Sequence, residues 1–103
     1  MPSISYTNIF EAVAESAEEA SELQTRSDLM IVLRDIINDR KWNQKEAAEK
    51  LGLTQPRVSD LKNGKLDKFS IDLLMTCLFR IGYRFKPSYK RQKLKMEVVA
   101  VTK

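Results

Sequence analysis

The chain has 103 residues, 43% of them hydrophobic and 31% charged, with one cysteine and no histidine. This length fits one domain with a single modest core. Without histidine the usual catalytic triads cannot form, and one cysteine leaves too few ligands for a structural zinc site. This argues against an enzyme and against a metal or other cofactor. No apolar run reaches the length of a membrane span, and the N-terminus lacks a basic start followed by an apolar stretch. We therefore expect a cytoplasmic protein without membrane contact.

The charges are unevenly distributed around a net charge of +4. Residues 1–28 hold six acids against one base, whereas residues 69–103 hold eight bases against two acids. This polarity favours a protein that places its C-terminal part near phosphates and keeps its N-terminal part clear of them. A basic tail that is merely solvated is the alternative.

The N-terminal third contains two helix signals. Asn8 and Glu11 can cap a short helix within residues 1–15, with a frayed terminus as the alternative. Ser16 and Glu19 form a clear capping box for a longer helix that runs to about residue 41, unless Ser27 caps it again and divides it. The predicted inward stripe of this helix is Leu23, Met30, Leu33, Ile36 and Ile37.

Residues 43–65 are the most informative segment, and we interpret them as two short helices joined by a tight turn. Asn43 caps the first helix, and Glu46 completes a capping box. Gly52 supplies the left-handed conformation that the turn needs, and Thr54 caps the second helix. The predicted inward side chains of this region are Trp42, Ala47, Ala48, Leu51, Leu53, Val58 and Leu61.

The spacing of the predicted buried positions is typical of a helix-turn-helix. In that motif the second helix enters the DNA major groove while the first contacts the backbone. The buried positions are Ala48, Gly52, Val58 and Leu61, and the outward face carries Thr54, Gln55, Arg57, Ser59 and Lys62. A purely structural helical hairpin is the alternative. The second helix ends at Asn63–Gly64, and Pro56 leaves open a start one residue later than Gln55.

A further helix follows the motif. Ser70 caps it, Phe69 and Leu74 are placed as a hydrophobic staple, and Gly82 ends it. Its predicted inward residues are Ile71, Leu74, Met75 and Leu78. Cys77 lies on this apolar helix and is interpreted as a small core residue.

The last part of the chain changes to a strand pattern. Residues 83–86 and 94–101 are rich in strand formers, and residues 87–92 are predicted to form a polar loop. The second strand has one apolar face, made of Leu94, Met96, Val98 and Ala100. Since two strands alone are marginally stable, we expect residues 83–101 either to stabilise a homodimer or to fold back on the helices of their own chain.

Residues 43–65 resemble the XRE family of helix-turn-helix regulators, which includes phage repressors and Cro-like proteins. The longer run that continues through Leu66–Ser70 is similar to a sub-group that contains HigA-type antitoxins and related phage-borne regulators. The resemblance covers about residues 16–82. It implies a mainly α, lambda-repressor-like helical bundle, to which the sequence adds a C-terminal β-strand pair. The predicted division is an N-terminal segment at 1–15, the DNA-binding domain at 16–82 and a β extension at 83–103.

The resemblance also implies which side chains meet DNA. Gln44 would bind a phosphate, Asn63 and Lys65 would contact the backbone, and Gln55, Pro56 and Asp60 would face base edges. With the polar outward face included, the predicted base-reading residues are Gln55, Pro56, Arg57, Ser59 and Asp60. The predicted backbone contacts are Gln44, Thr54, Lys62, Asn63 and Lys65. The chain departs from the phage repressors at Pro56 and Asp60, so no known operator sequence transfers to it.

The function that these observations predict is a DNA-binding transcriptional regulator acting as a repressor. A single short helix makes few base contacts, so we expect a homodimer on a palindromic operator. By resemblance it would be an antitoxin with a toxin protein as partner. The alternatives are a stand-alone phage or mobile-element regulator and, in a different class, a protein-interaction adaptor without DNA binding.

Overall fold

A computed structural model describes residues 17–101, in which helices precede one β-hairpin. The elements are α1 (Ala17–Asp39), α2 (Gln44–Leu51), α3 (Gln55–Lys62), a 3-10 turn (Leu66–Lys68), α4 (Ile71–Arg80), β1 (Tyr83–Lys90) and β2 (Lys93–Ala100). The predicted mainly α fold with a C-terminal strand pair is confirmed. The helix expected near Asn8 and the capping box at Ser16 lie outside the described residues.

Helix α1 is a single unbroken helix of 23 residues, so Ser27 does not divide it. Met30, with Leu33 and Ile37, is buried as the stripe predicts. Leu23 was expected in the same stripe, but 48% of it is exposed. The reason is that the intervening stripe positions are Arg26 and Ser27, which are polar and interrupt the apolar surface.

The helices enclose one apolar core, and among residues 17–101 no polar or charged side chain is buried. Its members are Met30, Leu33, Ile37, Ala47, Ala48, Leu51, Val58, Leu61, Phe69, Leu74, Cys77 and Leu78. Full burial of one large aliphatic side chain contributes about 1.5–3 kcal/mol. The cap of α4 is confirmed, because the Ser70 hydroxyl accepts from the Leu73 N–H at 3.1 Å. Phe69 and Leu74 are both buried, as the predicted staple requires.

The two strands form an antiparallel hairpin with a shorter loop than the sequence predicted. Residues 87–90 belong to β1, and only Arg91 and Gln92 form the turn, at φ of 54° and 65°. Two successive positive φ angles are those of a tight hairpin turn, whose usual Asn-Gly signature this sequence lacks. Pro87 suggested a loop because proline has no N–H to donate to a neighbouring strand. It is tolerated in β1 because each strand of a two-stranded sheet has one edge without a partner.

The strand register gives the hairpin two chemically different faces. What we term the apolar face carries the pairs Tyr83–Ala100, Phe85–Val98, Pro87–Met96 and Tyr89–Leu94. The basic face carries Arg84–Val99, Lys86–Glu97, Ser88–Lys95 and Lys90–Lys93. Tyr83 and Phe85 pack against the helical core, whereas Leu94 and Met96 are 63% and 58% exposed. The base of the hairpin thus folds back on its own helices and its outer half does not.

Candidate nucleic-acid interface

The first helix of the motif, α2, is fixed at both ends by its own sequence. The Asn43 side chain accepts from the Glu46 N–H at 2.8 Å, and the Glu46 carboxylate accepts from the Asn43 N–H at 2.9 Å. This is the predicted capping box. At the other end Gly52 adopts φ 71°, and its N–H donates to the Ala48 carbonyl. The helix start, with an exposed Gln44, is therefore held in one position.

The turn between α2 and α3 is clamped by an arginine from α4. Arg80 Nη1 donates to the Leu51 carbonyl at 2.9 Å and to the Gly52 carbonyl at 3.2 Å. A Cβ at Gly52 would lie 2.5 Å from that nitrogen. The prediction that Gly52 is buried is wrong, because the turn lies at the surface and the glycine is exposed. What the site requires is its left-handed backbone and the space beside it.

The second helix, α3, begins at the residue first predicted. Thr54 caps it by accepting from the Arg57 N–H at 3.3 Å, and Pro56 occupies the first turn, where its missing N–H leaves no bond unmade. Val58 and Leu61 are fully buried. Because these two side chains face the core, the opposite side of α3 faces solvent, and Gln55 lies at its start.

A side-chain bond joins the beginnings of the two helices. Gln44 Nε2 donates to the Gln55 carbonyl at 2.9 Å, across eleven positions of sequence. This bond keeps the starts of the two helices together on one surface. Backbone N–H groups at a helix start are good donors for phosphate oxygens. Gln44 was predicted only as a phosphate ligand, and the structure adds this linking role.

Comparison with known proteins agrees with this geometry. The profile of a family described as "Helix-turn-helix domain" matches residues 12–86. The chain belongs to this helix-turn-helix family. A solved structure named "Putative XRE Family Transcriptional Regulator" is 41% identical over 61% of this chain and 71% of that chain, with a TM-score of 0.59. No protein of curated function matches the sequence.

The side chains that were predicted to contact DNA differ in how exposed they are. Ser59 and Asp60 are partly buried. Asp60 Oδ1 also lies 3.7 Å from Lys65 Nζ and forms an ion pair with it. A DNA donor that binds the Asp60 carboxylate would therefore share it with Lys65. The exposed members are Gln44, Thr54, Gln55, Pro56, Arg57, Lys62, Asn63 and Lys65. Their roles toward DNA stay predictions.

Arg57 makes contacts that the sequence did not indicate. Its Nη1 donates to the Lys68 carbonyl at 2.9 Å, and its guanidinium carbon lies 5.7 Å from the centre of the Phe69 ring. These contacts hold the side chain against the 3-10 turn. Because a guanidinium has five N–H groups, Arg57 keeps donors for a base or a phosphate while it binds Lys68.

Arg34 is a basic residue near the motif that sequence reasoning did not include. Its Nη1 lies 3.9 Å from the position of a Cβ built on Gly64, directly after α3. Arg34 belongs to α1 and is exposed. Only the packing of α1 against α3 brings it there, so no local pattern could have identified it.

Residues 17–101 contain neither a group of metal-ligating side chains nor a membrane-spanning helix. Within residues 17–101, no group of three or more His, Cys, Asp or Glu side chains could hold a metal ion. No helix among these residues is long and apolar enough to cross a membrane. Burial raises the pKa of the Cys77 thiol, and the nearby Arg80 charge opposes this rise. The thiol is therefore kept protonated inside the core.

Proposed function

We propose that this helix-turn-helix protein is a sequence-specific transcriptional repressor that binds a palindromic operator as a homodimer. The observation that carries the proposal is the pair of capped helices, joined by the bond from Gln44 to the Gln55 carbonyl, with an exposed polar surface at the start of α3. One helix of eight residues reads few bases, so selectivity at the level of a gene requires two copies.

The side chains at and after the start of α3 are proposed to read bases. Gln55 offers an amide that pairs with adenine, Arg57 offers donors to guanine, and Asp60 accepts from a cytosine amino group. Pro56 presents only apolar surface, and Ser59 a hydroxyl. The proposed backbone contacts are Gln44, Thr54, Lys62, Asn63 and Lys65. They would orient the protein on DNA without specifying sequence.

The base-reading role is tested on an operator selected from random DNA with the purified full-length protein. Replacing Gln55 with Ala is expected to cost about 1–3 kcal/mol at one base position and to relax preference there. Binding titrations across operator variants measure this effect. Unchanged affinity together with unchanged preference would remove Gln55 from the readout.

The backbone role is tested by the salt dependence of binding. Replacing Lys65 with Ala should weaken specific and non-specific DNA alike and reduce the log–log salt slope by about one unit. Lys50 provides a matched control, because it is exposed on the last turn of α2, at the opposite end from Gln44. A loss confined to the specific operator, or an equal change of slope for the Lys50→Ala variant, would contradict the assignment.

The finer proposal is that the repressor is the antitoxin of a toxin–antitoxin pair. It is supported by the resemblance of the longer run from Asn43 through Ser70 to a sub-group that contains HigA-type antitoxins. The same sub-group contains phage-borne regulators, so a stand-alone phage or mobile-element regulator is the second candidate. Co-expression with the product of the neighbouring gene separates the two. Rescue of growth by this protein supports the antitoxin, and a harmless neighbour supports the lone regulator. An adaptor without DNA binding would fail the operator titrations.

A further inference from the structure

We propose that the apolar face of the hairpin is the surface through which two copies of this chain associate. The inference rests on the proposed function, which requires two copies but does not say where they meet. The proposed interface consists of the outer half of the apolar face and the neighbouring surface of α1.

The first support is the separation of side chains between the two faces of the hairpin. All eight positions of the apolar face are apolar or aromatic, whereas the basic face carries five cations and one acid. A hairpin with both faces in water needs no such separation. Segregation of this kind is typical of a sheet with one covered face and one solvated face.

The second support is that only Tyr83 and Phe85 of this face are partly buried against the helices. Large side chains beyond the Phe85–Val98 pair stay in water, including Tyr89 at 62% and Leu94 at 63% exposure. Singly exposed hydrophobic residues are ordinary, but a contiguous apolar patch marks an interaction site. Here the exposed residues are consecutive pairs of one strand register and thus form a continuous strip.

The strip continues from the hairpin onto α1. A cleft of about 250 Å³ lies between them, and Val32 at its edge is 44% exposed. The lining residues are Leu29, Val32, Ile36, Leu78, Tyr83, Phe85 and Val98. The cleft offers a partner side chain an apolar place to insert, next to the strip that the partner would cover.

The size of the hairpin face limits how much of the interface it can supply. Each eight-residue strand is about 27 Å long and two strands are about 10 Å wide, so the face spans roughly 270 Å² in projection. Stable interfaces bury about 800 Å² of accessible surface per partner. The hairpin face is thus too small alone, and the α1 side of the cleft must take part.

A second copy of the chain, which the proposed binding to a palindrome requires, can cover this surface. Packing the same face on itself about a two-fold axis joins apolar to apolar surface and leaves both basic faces in solvent on opposite sides. Pairing of strand edges would instead leave Leu94 and Met96 in water and place lysines of the two chains near each other. Face-to-face packing is therefore the arrangement that the side chains favour.

The test is sedimentation equilibrium of the full-length protein over a range of concentrations. Replacing both Leu94 and Met96 with Gln is expected to weaken dimerisation at least tenfold, and the matched basic-face variant with Lys86→Gln and Lys95→Gln should dimerise as the wild type does. Both pairs are exposed, so circular dichroism should show the same fold for all three proteins. A wild-type monomer at high concentration, or an apolar-face variant that dimerises normally, would overturn the inference.

Binding to DNA separates this inference from the proposed function. The apolar-face variant should still bind a single half-site with wild-type affinity while it loses cooperative binding to the full palindrome. If neither protein selects any DNA sequence although the wild type dimerises and the variant does not, the proposed function fails and the interface stands. Retained cooperativity in the variant would overturn the interface.

Discussion

Replacing Gly52 with Ala tests how the turn of the motif is held. The expected loss in the free energy of unfolding is about 2–3 kcal/mol, in two parts. The φ of 71° costs a residue with a Cβ about 1–2 kcal/mol. The Cβ would also lie 2.5 Å from Arg80 Nη1 and 2.8 Å from its Cζ, so the guanidinium must leave the two carbonyls it binds. Because Arg80 is exposed and water replaces its bonds, we assign about 1 kcal/mol to that part.

Gly64 offers a matched control for the backbone part. Its φ is 70°, but a Cβ there meets only Arg34 Nη1 at 3.9 Å, so Gly64→Ala should cost about 1–2 kcal/mol. Urea denaturation followed by the fluorescence of Trp42, the one tryptophan, measures both variants. In an Arg80→Met background, Gly52→Ala should cost no more than Gly64→Ala. Equal losses for the two glycine variants with Arg80 present would refute the clamp.

Three further predictions concern the rest of the fold. Asn43→Ala removes a capping box and should lower stability by about 1 kcal/mol in urea denaturation, and an unchanged midpoint would contradict the cap. Leu74→Ala should cost about 2–5 kcal/mol because Leu74 is fully buried, whereas Leu23→Ala should stay within about 0.5 kcal/mol; similar losses would contradict the burial pattern. Burial raises the pKa of the Cys77 thiol, so an unfolded chain ionises it first. The neutral thiol contributes fully to the free energy of unfolding below about pH 8.5, and this contribution falls as the pH rises toward the folded pKa. Cys77→Ala should remove this part of the pH dependence of stability.

Signals that lie within one helical turn were predicted well from the sequence. The caps at Asn43, Thr54 and Ser70 need only residues three positions away, and all three are present in the structure. Leu23 was placed wrongly because helical periodicity does not tell where a helix leaves the core. The hairpin turn at residues 91–92 was missed because no glycine or asparagine marks its positive φ angles.

The arrangement of the site was less predictable than its residues. The bonds from Gln44 to Gln55 and from Arg57 to Lys68 each span eleven positions and depend on how helices are oriented. Periodicity indicates which face of a helix is polar, but not which neighbour each polar side chain meets. The position of Arg34 near Gly64 also depends on how helices are oriented, across thirty positions of sequence.

The clamp by Arg80 bears on where this protein can be cut or recombined. Arg80 is the last residue of α4, and Tyr83, three positions later, receives a hydrogen bond from Arg40 at 3.1 Å. A fragment that ends before Arg80 would leave the carbonyls of Leu51 and Gly52 without this donor. One that ends at Gly82 would strip Tyr83 and Phe85 from the core. The smallest transplantable DNA-binding module therefore extends into the hairpin, and chimeras that exchange the motif should carry the hairpin base with it.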